Sequence, residues 1–226
     1  MRIDVLTLFP EMFENVLNCS ILRIAREKAL VQYNLFNIRD YAENRRCVDD
    51  RPYGGGAGMV MKPEPVFNTV ETIEQQAGPC RKKILLTPQG VKFNQQIAKE
   101  LSRESYLMLI CGRYEGVDER IRLGLDVFEL SIGDYIMSGG EIPAMVVIDA
   151  VIRLIPGVLG DSESVVNESF ADTLLEYPQY TRPAEYRGMK VPEILISGNH
   201  QKIKEWQREN AVKRTIEKRP DILKKT

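Results

Sequence analysis

Short apolar runs recur along the first two thirds of the chain, and each is closed by turn-forming residues. Ile3-Asp-Val-Leu-Thr-Leu-Phe9 reads as a strand, and Pro10 opens a helix with Phe13, Val16, Leu17, Ile21 and Ile24 apolar. Val31 to Ile38 reads as a second strand, followed by a loop-like stretch, 40–62, rich in glycine and charge. Ile84-Leu-Leu86 runs into the turn Thr87-Pro-Gln-Gly90, and Phe93, Ile97 and Leu101 then mark an amphipathic helix. Tyr106-Leu-Met-Leu-Ile-Cys111 ends in a second turn, with Gly112 and Gly116 flanking Arg113, Tyr114 and Glu115. Val127-Phe-Glu-Leu130 leads into a third, Ser131-Ile-Gly-Asp-Tyr-Ile-Met-Ser-Gly-Gly-Glu-Ile-Pro143. Residues 144–155 are apolar nearly all round, and Pro156-Gly157 stops them. This alternation predicts an α/β domain over 1–159 with a parallel sheet.

Residues 160–170 form a polar, acidic connector whose composition predicts flexibility. Residues 171–226 are expected to form a small, mainly helical domain. They hold three prolines in 177–192, a strand-like Ile194-Leu-Ile196, and a last helix capped by Asn199 and ended by Pro220. A helix as apolar as 144–155 must be buried on most sides, either deep against the sheet or in a subunit contact.

Three glycine-bearing loops at strand ends fit a ligand site, because ligands of open α/β sheets bind outside the carboxyl ends of the strands. The loops lack Gly-x-Gly-x-x-Gly and a Gly-Lys-Ser/Thr phosphate grip, so the ligand is expected to be compact and held by main-chain groups. Glycine-rich turns without a ligand are also common, and glycines alone leave both readings open. Net charge is −1, against a general nucleic-acid binder, yet residues 171–226 carry 12 basic and 8 acidic side chains. That asymmetry suits phosphate contacts, but charge alone favours a solvated helix face. Scattered Cys19, Cys47, Cys80 and Cys111 read as reduced thiols of a cytoplasmic protein, and a single histidine excludes schemes needing two. No apolar run reaches membrane-spanning length.

The strings Leu86-Thr-Pro-Gln-Gly90, Cys111-Gly-Arg-Tyr-Glu-Gly-Val-Asp-Glu-Arg120 and Ser131 to Ala144 resemble the three conserved loops of bacterial tRNA (guanine-N1)-methyltransferases of the SPOUT class. Further matching strings run in order from Met1–Pro10 through 48–59, 153–160, 180–183 and 197–200 to Lys218-Arg-Pro220. The resemblance implies a SPOUT-type parallel-sheet domain with a trefoil knot, a homodimer, and methylation of guanosine 37 at N1 in tRNA. It implies S-adenosyl-L-methionine held by Leu86, Thr87, Pro88, Gly90, Gly112, Tyr114, Glu115, Ile132, Gly133, Asp134, Tyr135, Ile136, Met137, Gly139, Gly140 and Pro143. Mg2+ is implied too, with no site readable from the sequence.

The same resemblance assigns catalysis to Glu168 and Arg153, with Asp161 or Asp172 as fallback bases. Glu168 stands where the family most often has aspartate. Asp50, Tyr53, Arg113 and Tyr180 fall where the family contacts tRNA and its target guanine. From the residues alone, Arg153 reads more readily as an i,i+4 partner of Asp149, and a packed tyrosine is the commoner case. A non-catalytic RNA-binding module and another SPOUT RNA methyltransferase are the competing functions.

Overall fold

The structure is a computed structural model that describes residues 1–45, 47–159, 168–170 and 173–223. The chain divides into two compact units, Met1–Gly160 and Asp161–Thr226. The expected connector, 160–170, lies outside the described residues except for Glu168, Ser169 and Phe170.

In the first unit, β1 (Arg2–Thr7), β2 (Gln32–Asn37), β5 (Lys83–Lys92), β6 (Tyr106–Cys111) and β7 (Phe128–Ser131) form a sheet in the order β2-β1-β6-β5-β7. Every pairing in it is parallel. The central strands are nearly continuous apolar runs because helices cover both faces. On one face Ile3, Val5, Leu86 and Leu109 meet α1 (Glu11–Leu17), α2 (Ser20–Glu27), α4 (Gln95–Leu101) and α6 (Glu141–Ile152). On the other, Leu6, Leu85, Met108 and Ile110 meet α3 (Pro63–Ala77) and α5 (Glu119–Leu125). Residues i and i+2 of each strand thus serve the same layer.

Several elements depart from the sequence expectation. The first helix is broken in two at Asn18 and Cys19, and Ser20 takes a left-handed φ of 47°. Stretch 40–62 holds a small antiparallel pair, β3 (Asp49–Asp50) with β4 (Val60–Met61). Two helices emerge without having been anticipated. In α3, Val66, Thr69, Val70 and Ile73 are buried at helical spacing behind Pro63 in the first turn. In α5, Asp118 caps the first turn by accepting from Arg120 N. The turn Thr87–Gly90 stays within β5, which bulges there and regains β7 through Val91–Leu130 and Lys92–Ser131. Gly90 makes this possible: a Cβ there would lie 2.3 Å from Leu130 N and 2.6 Å from Glu129 O.

The helix α6 begins three residues earlier than the all-apolar run, at Glu141. Ala144, Val147, Ile148, Val151 and Ile152 are buried against the sheet, while Ile142 and Val146 stay 45% and 42% exposed in the single chain. Among the described residues, no helix is long and apolar enough to cross a membrane.

The second unit holds a hairpin of β8 (Glu185–Tyr186) and β9 (Met189–Lys190), then α7 (Glu193–Ile196), α8 (His200–Lys218) and α9 (Pro220–Leu223). The expected strand at Ile194–Ile196 is a single helical turn, since three apolar residues without a partner strand have no ladder to join. Asn199 caps α8 as its sequence position predicts, accepting from Lys202 N at 3.2 Å.

Candidate functional site

At the carboxyl ends of β5, β6 and β7 the three glycine-bearing loops enclose a cleft of about 350 Å³. That volume is within the usual range for small-molecule sites. Two of the loops cross each other. Gly140 N donates to Gly112 O at 2.8 Å, and Arg113 forms an antiparallel bridge with Gly139.

The glycines at this crossing serve the protein, not only a ligand. A Cβ on Gly140 would lie 2.8 Å from Cys111 Cα and 3.0 Å from Gly112 N, both backbone atoms. A Cβ on Gly139 would lie 2.4 Å from Arg113 Nε. Gly112 differs: its Cβ would meet nothing closer than 3.5 Å. The idea that these glycines uniformly admit a ligand to bare backbone is therefore corrected for Gly139 and Gly140, where chain packs on chain.

Next to the crossing lies a buried charge network. Glu141, 1% exposed, accepts from Thr7 Oγ1 at 2.9 Å and from Arg113 Nε at 3.0 Å. The Arg113 guanidinium also donates to Ser138 O and sits 4.4 Å from the Phe9 ring centroid. A charge is buried at this depth only when paired. Arg113 thus lines the cleft as a brace between loops.

Glu115 forms a further junction. Its N–H donates to Met59 O at 3.0 Å, and its side chain lies so close to Gly58 that a Cβ there would be 2.4 Å from Oε1. Met61 N donates to Gly116 O as well. The loop between β3 and β4 is thereby laced to the second glycine-bearing loop. Tyr114, between these contacts, holds φ at 60°, a strained conformation for a non-glycine residue.

Of the residues expected to hold the cofactor, Leu86, Thr87, Pro88, Gly112, Tyr114, Glu115, Ile132, Gly133, Tyr135, Ile136, Met137, Gly139, Gly140 and Pro143 line this one cleft, as does Arg113. Gly90 and Asp134 do not. Gly90 serves the β5–β7 contact, and Asp134 points to an ion pair with Lys92. Asp50 lies in β3, where its Oδ1 accepts from Arg51 N at 2.7 Å. Tyr53 is fully exposed on the loop after β3. Arg153 caps the carboxyl end of α6 and is partly buried. Glu168 and Tyr180 belong to the second unit, where the Tyr180 ring lies 6.4 Å from that of Trp206. Asp161 and Asp172 lie outside the described residues.

Arg122 and Leu130 line the cleft without a motif to announce them, and Val117, inside the second family string, lines it without having been named as a site residue. Arg122 projects from α5, clamped by Glu119 at 3.0 Å and Glu129 at 3.1 Å. Ile121, Leu123 and Leu125 alternate as in a strand, although Leu123 is exposed, so the helical face of α5 is not marked in sequence.

The cleft suits S-adenosylmethionine chemically. Apolar Leu86, Leu130, Ile132, Met137 and Pro143 offer walls for an adenosyl group, and Glu115 offers a carboxylate for an ammonium group. For Mg2+, no cluster of three or more His, Cys, Asp or Glu placed to hold a metal occurs among the described residues.

A parallel α/β unit with crossed glycine-bearing loops at its strand ends defines an enzyme of the SPOUT methyltransferase class. The chain belongs to the tRNA (guanine-1)-methyltransferase family, TrmD, whose sequence pattern matches residues 1–225. It is 56% identical over 227 residues to the tRNA (guanine-N(1)-)-methyltransferase of Dictyoglomus turgidum, covering 100% of this chain and 91% of that one. With the enzyme of the same name from Bacillus subtilis it shares 55% identity over 225 residues, covering 99% and 93%. The crystal structure of tRNA (m1G37) methyltransferase from Aquifex aeolicus superposes with a TM-score of 0.82 at 43% identity, covering 99% of this chain and 94% of that one.

Proposed function

We propose that this protein methylates N1 of guanosine 37 in tRNA, with S-adenosyl-L-methionine as donor. The observation that carries the reading is the convergence of all three family loops on one cleft. Identity of 55–56% to enzymes of that name over nearly the whole chain supports the substrate assignment.

The bound cofactor supplies a methyl group activated by its positive sulfur. The chain's own residues supply the rest. Glycine-bearing backbone and apolar walls hold the adenosyl group and exclude water, which fixes donor and acceptor in one geometry. Glu168 acts as general base toward the guanine N1 proton. Arg153 stabilises the negative charge that develops toward O6 as that proton leaves. Arg113 braces the cleft wall through Glu141. Asp50 and Tyr53, on the loop tied to Glu115, and Tyr180 in the second unit, contact the RNA; the open ring of Tyr53 suits stacking on a base.

Two copies of the chain pair through the open stripe of Ile142 and Val146, completing the burial of α6, and the crossing at Gly112 and Gly140 belongs to a trefoil knot. A cytoplasmic location follows from the tRNA substrate. Transfer of labelled methyl from S-adenosylmethionine to tRNA transcripts tests the proposal. Transcripts with guanosine at 37 should be labelled and those with another base at 37 should not. Equal labelling of both would refute the assignment.

A further inference from the structure

The segment that carries Glu168 is held in place by the carboxyl-terminal third of α8. Leu175 N donates to Thr215 Oγ1 at 2.8 Å, and the same hydroxyl donates to Ala211 O at 2.7 Å. Thr215 is completely buried, so this doubly bonded hydroxyl is a fixed post. One turn of contacts follows: Glu176 N donates to Ser169 Oγ at 2.9 Å, and Arg214 Nη1 donates to Glu176 O at 3.4 Å. Phe170 N donates to Leu174 O at 3.0 Å, which closes the segment on itself. The Arg219 guanidinium lies 5.6 Å from the Phe170 ring centroid and is itself oriented by Asp221. Phe170 takes a left-handed φ of 69°, a conformation that persists only where the surroundings enforce it.

We infer that Thr215 and Arg219 are positioning residues for methyl transfer: they hold the backbone at Phe170 and at Leu174 to Glu176 and thereby set the carboxylate of nearby Glu168. The inference rests on the reading of Glu168 as the base. A glutamate has one more side-chain torsion than an aspartate, so its carboxylate is less constrained by its own backbone. A firmly anchored segment offsets that freedom. The residues concerned all lie in the second unit and need no contact with the cofactor cleft. Small misplacement of a catalytic group costs on the order of 10²-fold in rate, which sets the scale of the effect.

The test uses single-turnover methylation at saturating tRNA and cofactor, with KM for tRNA measured alongside. Thr215→Val keeps the shape and removes both hydrogen bonds. It should slow the chemical step by about 10–10²-fold, with KM for tRNA and cofactor affinity little changed. Thr215→Ser should restore the rate. Arg219→Gln, on a more open side chain, should slow the step several-fold and keeps the test valid if Thr215→Val does not fold. Added to Glu168→Gln, Thr215→Val should cause no further loss, because residues acting through one group are not additive. Wild-type rates in both Thr215→Val and Arg219→Gln, beside a crippled Glu168→Gln, overturn the positioning role alone. A loss confined to KM for tRNA overturns it too, making Thr215 a structural residue. A near-normal rate in Glu168→Gln overturns the base assignment and this inference with it.

Discussion

Arg113 Nε donates to Glu141 Oε2 at 3.0 Å, joining the second glycine-bearing loop to the first turn of α6. The two residues are unequal partners. The Glu141 side chain is 1% exposed and the Arg113 side chain 18%, so the carboxylate depends on the pair more than the guanidinium does. Removing one partner of a buried pair costs roughly 3–5 kcal/mol. Arg113→Met strands the buried carboxylate and should lie at or above the low end of that range by urea unfolding. Glu141→Gln keeps a hydrogen-bonding group for Thr7 and should cost less. The reverse order would show that the ion pair does not hold the loops.

The glycines of the crossing should separate stability from binding. Gly140→Ala forces a Cβ within 2.8 Å of Cys111 Cα, and backbone cannot give way as a side chain can. Overpacking of this kind costs about 1–3 kcal/mol or more, so thermal unfolding should shift down clearly. Gly112→Ala meets only ordinary contacts at 3.5 Å yet faces the cleft. It should fold normally and bind S-adenosylmethionine less tightly by calorimetry. Normal stability in Gly140→Ala would mean that the loops do not cross as closely as described.

Alkaline pH should weaken the fold. Burial pushes the Cys80 thiol from its ordinary 9.0 up to about 11 and raises the Cys111 thiol well above that ordinary value. Burial also raises the Tyr33 hydroxyl to about 12, and burial together with Asp4 raises that of Tyr106. In each case the folded state keeps a proton that the unfolded chain has released, so stability falls as pH rises. For Cys80 the contribution is complete below pH 9 and disappears toward about 11. Unfolding free energy should therefore be lower at pH 10.5 than at pH 8, and Cys80→Ala should reduce the slope. A flat or rising profile contradicts these burials.

Pairing through α6 predicts a dimer in sedimentation velocity. Val146→Arg, on the open stripe beside Ile142, should shift it to monomer and reduce activity, leaving the sheet-facing side of the helix intact. A fully active wild-type monomer would remove the pairing from the account.

Strands β1, β6 and β7, helix α4 and the three loops were legible because each joins an apolar period to a turn signal. Gly112 and Gly140 read alike in sequence but do different things, since only the folded chain shows whether a missing Cβ makes room for protein or leaves space beside the cleft. The resemblance marked Arg113 as a guanine contact, but its place on the cleft wall and its partnership with Glu141, 28 positions away, were not legible, because sequence separation carries no distance. The strand-like alternation of Ile121, Leu123 and Leu125 hid α5 and with it Arg122. Helix α3 carries its signal in Pro63 and the spacing of Val66, Val70 and Ile73, but the polar residues between them hid it from the sequence reading.

The most direct measurement identifies the product nucleoside. Purified protein, S-adenosylmethionine and a tRNA transcript bearing guanosine at 36 and 37 are incubated, and the tRNA is digested and mapped by mass spectrometry. The account predicts N1-methylguanosine at position 37 and no other methylated nucleoside. Methylation on a ribose 2′-oxygen, at another position, or not at all would contradict it.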